Sequence, residues 1–244
     1  MTSSLDDRIA RATELARAYP GASALLNFYR DLAHFQKQVF DEVRSRGETD
    51  LGALTRHFPA LIELVQRSGP QPLADSSSKL TEELLTEHWQ GTVEYDPSGR
   101  FFARVLLQPY AEYLASRGDV RADSTPATCP FCNARPVVAV LRGEGDGGKR
   151  SLLCSMCATE WLYRRVVCPS CGEENKDKLP IYIAAEVDYV RVDACDNCQT
   201  YLKAVDLTKN GHAVPVVDEI ATVALNIWAE EHGYSKLEPN LLGM

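Results

Sequence analysis

The sequence predicts an α+β fold with a helical amino-terminal domain, two small β-rich modules organised by cysteines, and a closing helix. Apolar residues recur at helical spacing through most of the first 118 residues. All eight cysteines lie within residues 129–198, where short β-branched segments alternate with turn-forming stretches. An amphipathic run at 217–233 follows, so the change from helical to strand periodicity coincides with the cysteine block.

Composition and charge limit the partners and the compartment. The 244 residues include 26 Lys and Arg against 34 Asp and Glu, and the formal net charge of −8 opposes binding to nucleic acid and to anionic membrane surfaces. No apolar run reaches the length of about 18 residues that a membrane helix needs. Residues 1–15 lack the basic and then apolar opening of a secretory signal. We therefore expect a cytoplasmic protein without membrane insertion.

The amino-terminal domain is predicted to consist of helices joined by loops. Helical spacing covers three stretches, residues 25–40, 53–67 and 80–90. The Pro- and Ser-rich stretch 68–79 is predicted to be a loop. Residues 101–118 are apolar around most of a helical circumference and contain Pro109, which predicts a buried helix bent at that residue.

The rest of the chain divides at composition changes. The linker at 118–128 places a boundary near residue 125. Five short β-branched or aromatic segments then predict strands in hairpins, at residues 136–142, 162–168, 181–187, 189–195 and 200–207. The closing helix at 217–233 starts with Asp218 and Glu219, and we expect its apolar face, which includes Ile220 and Ile227, to pack on the protein itself. The predicted parts are a helical domain, two metal modules and a terminal helix, at residues 1–125, 126–165, 166–210 and 211–244.

The eight cysteines form four Cys-x-x-Cys pairs, and each pair supplies two corners of a tetrahedral metal site. The pairs are separated by 21, ten and 23 residues. The first and third separations match the spacing of zinc ribbons and rubredoxin-like folds, in which a hairpin brings one pair back to another. We therefore predict two four-cysteine metal sites, one formed by Cys129, Cys132, Cys154 and Cys157 and the other by Cys168, Cys171, Cys195 and Cys198. Cross-braced pairing, first with third and second with fourth, is the alternative.

The residues next to the cysteines fit tight metal-binding turns in part. Asn133 and Gly172 follow the second cysteine of their pairs and tolerate a left-handed backbone, whereas Ala158 and Gln199 fit that position less well. Four thiolates suit zinc and iron alike. A catalytic dithiol would instead lie at a helix start, and a disulfide scaffold is rare in a reducing compartment.

Part of the sequence resembles the formate dehydrogenase accessory proteins of the FdhE family. The resemblance rests on CSMCATEWLYRRVVCPSC at 154–171, CDNCQTYLK at 195–203, the helix and NLLG that follow, and FFARVLLQPYAEYLA at 101–115, so it covers residues 101–244. It implies a helical domain followed by two rubredoxin-like modules. It also implies a cytoplasmic protein, not itself an enzyme, that binds the catalytic subunit of a respiratory formate dehydrogenase or a related metalloenzyme before export. Iron is associated with these cysteines in the family, so iron is favoured and zinc is the alternative.

This chain departs from the family pattern at two positions near the cysteines. Gln199 stands where glycine is usual, and Leu162 stands where a histidine commonly follows the tryptophan. Thr159, Glu160 and Trp161 are interpreted either as a client-contacting or metal-supporting edge or, as we favour, as a strand with Trp161 packed in the module core. The same two interpretations apply to Tyr201 and Lys203. The simpler one is that both belong to a strand, with Tyr201 packed and Lys203 solvated.

Two other classes of function stay open on the sequence alone. A zinc-ribbon nucleic-acid binder is disfavoured because residues 129–205 carry ten basic and ten acidic residues, which leaves the block neutral. A rubredoxin-like electron-transfer protein requires iron in the cysteine sites. No Ser/His/Asp arrangement, P-loop or paired-carboxylate signature indicates a catalytic site.

Overall fold

The computed structural model describes residues 4–91, 97–118, 127–144 and 147–244 and has the α+β organisation that the sequence predicts. Its first part is helical, with six α-helices in the described residues: α1 (Leu5–Ala18), α2 (Ser23–Arg46), α3 (Phe58–Ser68), α4 (Gln71–Asp75), α5 (Glu82–Gln90) and α6 (Pro97–Arg117). None of the helices in the described residues is both long and apolar enough to cross a bilayer.

Local sequence signals explain where three of these helices begin or end. Ser4 and Asp7 form a reciprocal capping box at the start of α1, a helix that periodicity alone did not predict. The side chain of Thr81 accepts a hydrogen bond from the backbone N–H of Leu84 and so caps α5. Helix α2 ends at Gly47, whose φ of 61° lies in the left-handed region that glycine enters without strain.

Two predictions for the helical half need correction. The stretch at 53–67 is not one helix, because a 3₁₀ segment at Gly52–His57 precedes α3, whose first turn contains Pro59. The predicted loop at 68–79 contains the short helix α4 and a 3₁₀ turn at Ser77–Lys79.

Helix α6 continues without interruption through Pro109 and is buried along most of its length. The predicted boundary near 125 lies outside the described residues, and the four-part division stays a prediction.

A single sheet connects the two cysteine modules. In the described residues it has seven strands: β1 (Pro136–Glu144), β2 (Gly147–Cys154), β3 (Glu160–Leu162), β4 (Ile181–Ile183), β5 (Val190–Cys195), β6 (Thr200–Asp206) and β7 (Ser235–Lys236). Their order is β3-β2-β1-β6-β5-β4, and β7 also pairs with β6. The antiparallel hairpins of the two modules meet where β1 runs parallel to β6, with Ala139 opposite Ala204. The modules therefore share backbone hydrogen bonds as well as packing.

Four of the five predicted strand segments contain a strand, and one does not. The strands β1, β4, β5 and β6 lie within the segments 136–142, 181–187, 189–195 and 200–207 or overlap them closely. In the segment 162–168 only Leu162 belongs to a strand, β3, and the chain then turns toward Cys168. Its β-branched composition serves packing, because Val167 is buried against the first module.

The carboxyl-terminal run forms two helices instead of one. Helix α7 (Pro215–Ala221) ends at Thr222, and α8 (Val223–Glu231) follows. The buried ammonium group of Lys203 donates hydrogen bonds to the carbonyl oxygens of Glu219 and Thr222, and these carbonyls lie at the end of α7. Ile227, expected on the packed face, is 54% exposed.

Asp218 and Glu219 are not surface residues at a helix start, because both are fully buried in ion pairs. The guanidinium of Arg11 in α1 pairs with Asp218 through two hydrogen bonds, at 2.6 and 3.1 Å. Glu219 accepts from Lys236 and lies 2.9 Å from the Lys203 ammonium. Helix α7 is therefore held to the helical half by one charge pair and to the sheet by another.

The apolar core continues across the same junction. Val217, Ile220 and Leu241 join the cluster of buried residues that includes Leu26 of α2 and Phe102 of α6. Burial of this apolar surface packs the carboxyl-terminal segment against the helices. The sheet lies beyond α7, so the helical half, α7 and the sheet form one packed unit.

Candidate metal centres

The first cysteine cluster lies where the β1–β2 hairpin closes on the loop before it. Cys129 and Cys132 belong to that loop, Cys154 ends β2, and Cys157 follows in the next turn. The Sγ atoms of Cys132 and Cys154 are 3.4 Å apart, those of Cys129 and Cys157 are 3.5 Å apart, and those of Cys132 and Cys157 are also 3.5 Å apart. All four sulfur atoms lie within 4.8 Å of one another.

The second cluster repeats this arrangement with the hairpin of β5 and β6. Cys168 and Cys171 belong to the preceding loop, Cys195 ends β5, and Cys198 lies in the turn before β6. The Sγ atoms of Cys168 and Cys198 are 3.7 Å apart, as are those of Cys171 and Cys195. The structure therefore groups the cysteines as first pair with second and third pair with fourth, and not in the cross-braced arrangement.

The sulfur positions fit a tetrahedral metal ion. Four sulfurs at about 2.3 Å from a central ion would be about 3.8 Å from one another, close to the shortest distances in both clusters. A disulfide needs a separation of about 2.05 Å, and all eight cysteines are free thiols. The donor set and the spacing thus suit one four-coordinate ion in each cluster.

The backbone of the cysteine turns repeats from pair to pair. The N–H of Cys129, Cys154 and Cys168 donates in each case to the carbonyl oxygen five residues later. The residue after each second cysteine is left-handed, with φ of 60° at Asn133, 53° at Ala158, 77° at Gly172 and 54° at Gln199. The turn therefore imposes this conformation on Ala158 and Gln199 even though their side chains disfavour it.

Two threonines adjoin the sulfur atoms. A metal-supporting edge at Thr159 was one of the interpretations of the sequence, whereas Thr200 was not singled out. The Thr159 hydroxyl lies 3.1 Å from Sγ of Cys157, and the Thr200 hydroxyl lies 2.6 Å from Sγ of Cys198. Each hydroxyl is placed to donate to a metal-bound thiolate, which orients the ligand and moderates its charge. The signal was present in the sequence, because Cys-x-x-Cys-x-Thr occurs at both 154–159 and 195–200.

Backbone amides supply further donors to the sulfur atoms. The N–H of Met156 lies 3.3 Å from Sγ of Cys154, and the N–H of Ser170 lies 3.3 Å from Sγ of Cys168. Both amides come from the two residues enclosed by a cysteine pair. Such N–H···S contacts stabilise thiolates over neutral thiols and favour metal binding.

The thiols of one cluster do not ionise equally. Burial opposes ionisation of Cys198, but the hydrogen bond from Thr200 and the neighbouring thiols lower the pKa of Cys198 to about 6. Burial raises the pKa of Cys195 to about 12. In the first cluster, contact with the other three sulfurs, Cys129 first, raises the pKa of Cys154. Four thiolates this close repel one another, so complete deprotonation requires a bound cation.

The two clusters differ in how the protein encloses them. Cys129, Cys154 and Cys157 are buried, whereas Cys171 of the second cluster is exposed. Helix α6 holds the first cluster directly, because Arg104 and Gln108 donate to the carbonyl oxygen of Ser155 at 3.0 and 2.8 Å. The first centre is thus built into the junction with the helices, and the second faces solvent on one side.

The other sequence candidates serve packing. Trp161 is buried in the core of the first module, as the simpler interpretation expects. Tyr201 is also buried, but Lys203 is fully buried and ion-paired, which corrects the expectation of a solvated lysine. Glu160 accepts hydrogen bonds from Arg142 at the edge of the sheet. The two clusters contain only cysteines, so none of the five histidines is a candidate ligand there.

Comparison with known proteins places this arrangement in a family. The sequence model of the FdhE central domain matches residues 128–165, and that of the FdhE C-terminal domain matches residues 166–242, so each match contains one cysteine cluster. The chain belongs to the FdhE family. The two family domains meet between residues 165 and 166, within the turn that joins the two hairpins.

Individual FdhE relatives extend the similarity beyond the cysteine modules. A protein FdhE homolog from Aquifex aeolicus (strain VF5) is 28% identical over 264 residues, covering 96% of this chain and 93% of the relative. The Pseudomonas aeruginosa homolog is 36% identical over 58% of this chain but 48% of its own length. The crystal structure of the FdhE protein from Pseudomonas aeruginosa matches with a TM-score of 0.78 at 24% identity, covering 99% of this chain and 97% of that one. At that identity, the structural match concerns the fold.

Proposed function

We propose that each cysteine cluster binds one metal ion. Cys129, Cys132, Cys154 and Cys157 would be the ligands of one ion, and Cys168, Cys171, Cys195 and Cys198 those of the other. The sulfur separations and the surrounding N–H and hydroxyl donors support this assignment. Both iron and zinc accept four thiolates in a tetrahedron. Iron is favoured because it is associated with these cysteines in the family that the sequence resembles, and zinc is the alternative.

We further propose that this FdhE-family protein is an accessory protein and not an enzyme. It would act in the cytoplasm, where it binds the catalytic subunit of a respiratory formate dehydrogenase, or a related exported metalloenzyme, before export and supports its assembly. One observation carries the mechanical part of the proposal. Each cysteine cluster fastens a loop to one of the two hairpins of a single sheet, and hydrogen bonds from α6 hold the first cluster to the helical half. The bound ions would keep one handling surface rigid while the client receives its cofactors.

A capture experiment tests the link between the metal centres and client binding. The double variant Cys154→Ser, Cys157→Ser removes two ligands of the first ion but leaves the second cluster intact. We expect it to retain much less of the formate dehydrogenase catalytic subunit than the wild type in an affinity pull-down, because the junction with α6 loses its cross-link. Circular dichroism would check that the fold persists. Full capture by a folded variant with an empty first centre would contradict the rigid-surface mechanism.

The identity of the metal is measured separately. Elemental analysis and visible absorbance of protein purified without oxygen distinguish the two ions, because ferric tetrathiolate centres absorb visible light and zinc centres do not. Iron at two ions per chain is the expected result. Two zinc ions per chain would refute the preference for iron and leave the accessory function in place.

One structural observation favours a second candidate function. The exposure of Cys171 brings the second centre to the surface, as electron exchange with a partner protein requires. A rubredoxin-like electron-transfer role therefore predicts a reversible one-electron couple at the second centre. Voltammetry of the iron-loaded protein would test it, and a zinc-only protein would exclude it.

A further inference from the structure

A groove beside the second cysteine cluster has the features of a peptide-binding site. It is a cavity of about 250 Å³ between the turn that carries Cys168 and the free edge of the sheet. We call it the β4 groove and define it by six of its lining residues, Arg165, Val166, Pro169, Lys176, Leu179 and Ile181. The cavity is smaller than most small-molecule sites, which span about 300–1,000 Å³, and so suits one or two side chains of a larger partner.

The rim of the β4 groove exposes apolar side chains that soluble proteins usually cover. Val166 and Ile181, which line the groove, are 49 and 50% exposed, and Ile183, two residues farther along β4, is 54% exposed. They are three of the six large apolar side chains with such exposure in the described residues. Ile181 and Ile183 alternate along β4 and therefore lie on one face of the sheet. Exposed apolar side chains grouped at one edge of a sheet commonly mark a site of protein association.

The edge of the sheet at this groove also has backbone groups available for pairing. Strand β4 is the last strand of the sheet and pairs only with β5 in the described residues. The carbonyl oxygen of Pro180 accepts from the N–H of Ala194, which fixes the alternation of hydrogen bonds between the strands. The N–H and C=O groups of Ile181 and Ile183 consequently face away from β5. An extended peptide could pair with them by strand addition.

The charges around the groove indicate the chemistry of the occupant. Three cations, Arg150, Arg165 and Lys176, line the cavity, with Asp193 as the single carboxylate. Asp193 is already paired with Arg150 and Arg191. Arg165 and Lys176 have no carboxylate partner among the residues that the structure describes. Cys168 and Cys195 also line the cavity, and four thiolates around one metal ion would carry net negative charge. The unpaired positive charge therefore lies at the exposed rim of the groove, at Arg165 and Lys176.

We propose that the β4 groove binds an extended acidic segment of a partner protein. Its backbone pairs with β4, an apolar side chain enters the cavity, and flanking carboxylates reach Arg165 and Lys176. A second copy of this chain fits less well, because pairing of two β4 edges would bring the same cations together. This inference depends on the proposed function in one respect, because it takes the acidic segment to belong to the client subunit.

Binding of a defined probe tests the groove directly. The probe is a short fluorescein-labelled peptide with two leucines at alternate positions, threonine between them and glutamates at both ends. The comparison peptides replace the glutamates by lysines, or the residue between the leucines by proline, which removes a backbone donor. Fluorescence anisotropy with the full-length metal-loaded protein should show saturable binding of the glutamate peptide. Binding of the other two should be weaker by about tenfold or more.

Matched variants locate the site. Ile181→Glu places a negative charge at the rim, which repels the glutamates of the peptide. It should weaken binding of the glutamate peptide by about tenfold or more. Ile227→Glu changes an equally exposed isoleucine on α8, outside the groove, and should leave binding unchanged. Arg165→Gln should reduce the preference for the glutamate peptide over the lysine peptide. Both isoleucines are exposed, so neither substitution should prevent folding, and circular dichroism checks this.

Several outcomes would overturn the proposal. These are no saturable binding of the glutamate peptide, equal binding of the lysine peptide, and equal effects of Ile181→Glu and Ile227→Glu. A wild-type dimer that Ile181→Glu dissociates would assign the edge to a second copy instead. A pull-down separates this inference from the proposed function. Capture of the formate dehydrogenase subunit by both wild type and Ile181→Glu refutes the groove alone, whereas peptide binding without capture by the wild type refutes the proposed client.

Discussion

The left-handed turns of the second module allow a test in which two substitutions should change the free energy of unfolding in opposite directions. Gln199 is exposed and has a φ of 54°, and a non-glycine residue pays about 1–2 kcal/mol for that conformation. Gln199→Gly removes this cost but adds about 0.5–1 kcal/mol of unfolded-chain entropy. The net expectation is a stabilisation of about 1 kcal/mol.

Gly172→Ala is the reverse change at the equivalent position. Its φ is 77°, and a methyl group there would meet no atom within 4 Å, so the effect is one of backbone conformation alone. We expect a destabilisation of about 1 kcal/mol. Ala158→Gly should be nearly neutral, because the buried methyl group that is lost contributes about 0.8 kcal/mol and offsets the relief of strain.

The assay is urea unfolding of the metal-loaded proteins at one fixed concentration of free metal, since bound metal adds to the measured stability. The free energy of unfolding should rise for Gln199→Gly and fall for Gly172→Ala, with unchanged metal content. The same sign for both variants would refute the argument that backbone conformation at this position limits stability. A large loss for Gln199→Gly would show that its side chain, which donates to the Asp196 carbonyl oxygen, matters more than its backbone.

Three further predictions concern charge and metal. Burial alone would raise the pKa of Glu219, but the ammonium groups of Lys203 and Lys236 lower it to about 2. Because the unfolded chain titrates nearer 4.5, the pair stabilises the fold above that pH, and the contribution is lost as pH falls towards 2. Glu219→Gln should cost about 3–5 kcal/mol at neutral pH in urea unfolding and should flatten the acid dependence between these values. A thiol-directed chelator should remove the ion of the second cluster before that of the first, because Cys171 is exposed. Release of both ions at the same rate would contradict the inference that the protein encloses the second cluster less completely. Thr200→Val should weaken metal binding at the second centre by about tenfold or more in chelator competition, with the first centre as the internal control.

The grouping of the cysteines was largely predictable because its determinants are local. Four pairs with hairpin-length separations specify two four-sulfur clusters, and the turn geometry follows from the same short stretches. The left-handed conformation at Asn133 and Gly172 was also readable from residue type. Ala158 and Gln199 show the limit of that approach, since the cysteine turn overrides the preference of their side chains.

The carboxyl-terminal segment was harder to predict because distant residues determine it. Asp218 pairs with Arg11 across 207 positions of sequence, so its burial could not be inferred from neighbouring residues. The break at Thr222 likewise depends on Lys203, which donates to carbonyl oxygens that a continuous helix would use itself. Helical periodicity records which side chains are apolar, and it carries no information on such partners.

The parallel contact between β1 and β6 restricts how the protein can be divided. The two family domains look separable in sequence, yet a cut between residues 165 and 166 would uncover the hydrogen-bonding edges of both strands from Ala139 to Leu141 and from Ala204 to Asp206. Uncovered edges recruit other chains, so either half produced alone is expected to self-associate even with its ion bound. Engineering that trims this protein to one half with a single cysteine cluster would therefore need a replacement strand or charged substitutions along the exposed edge.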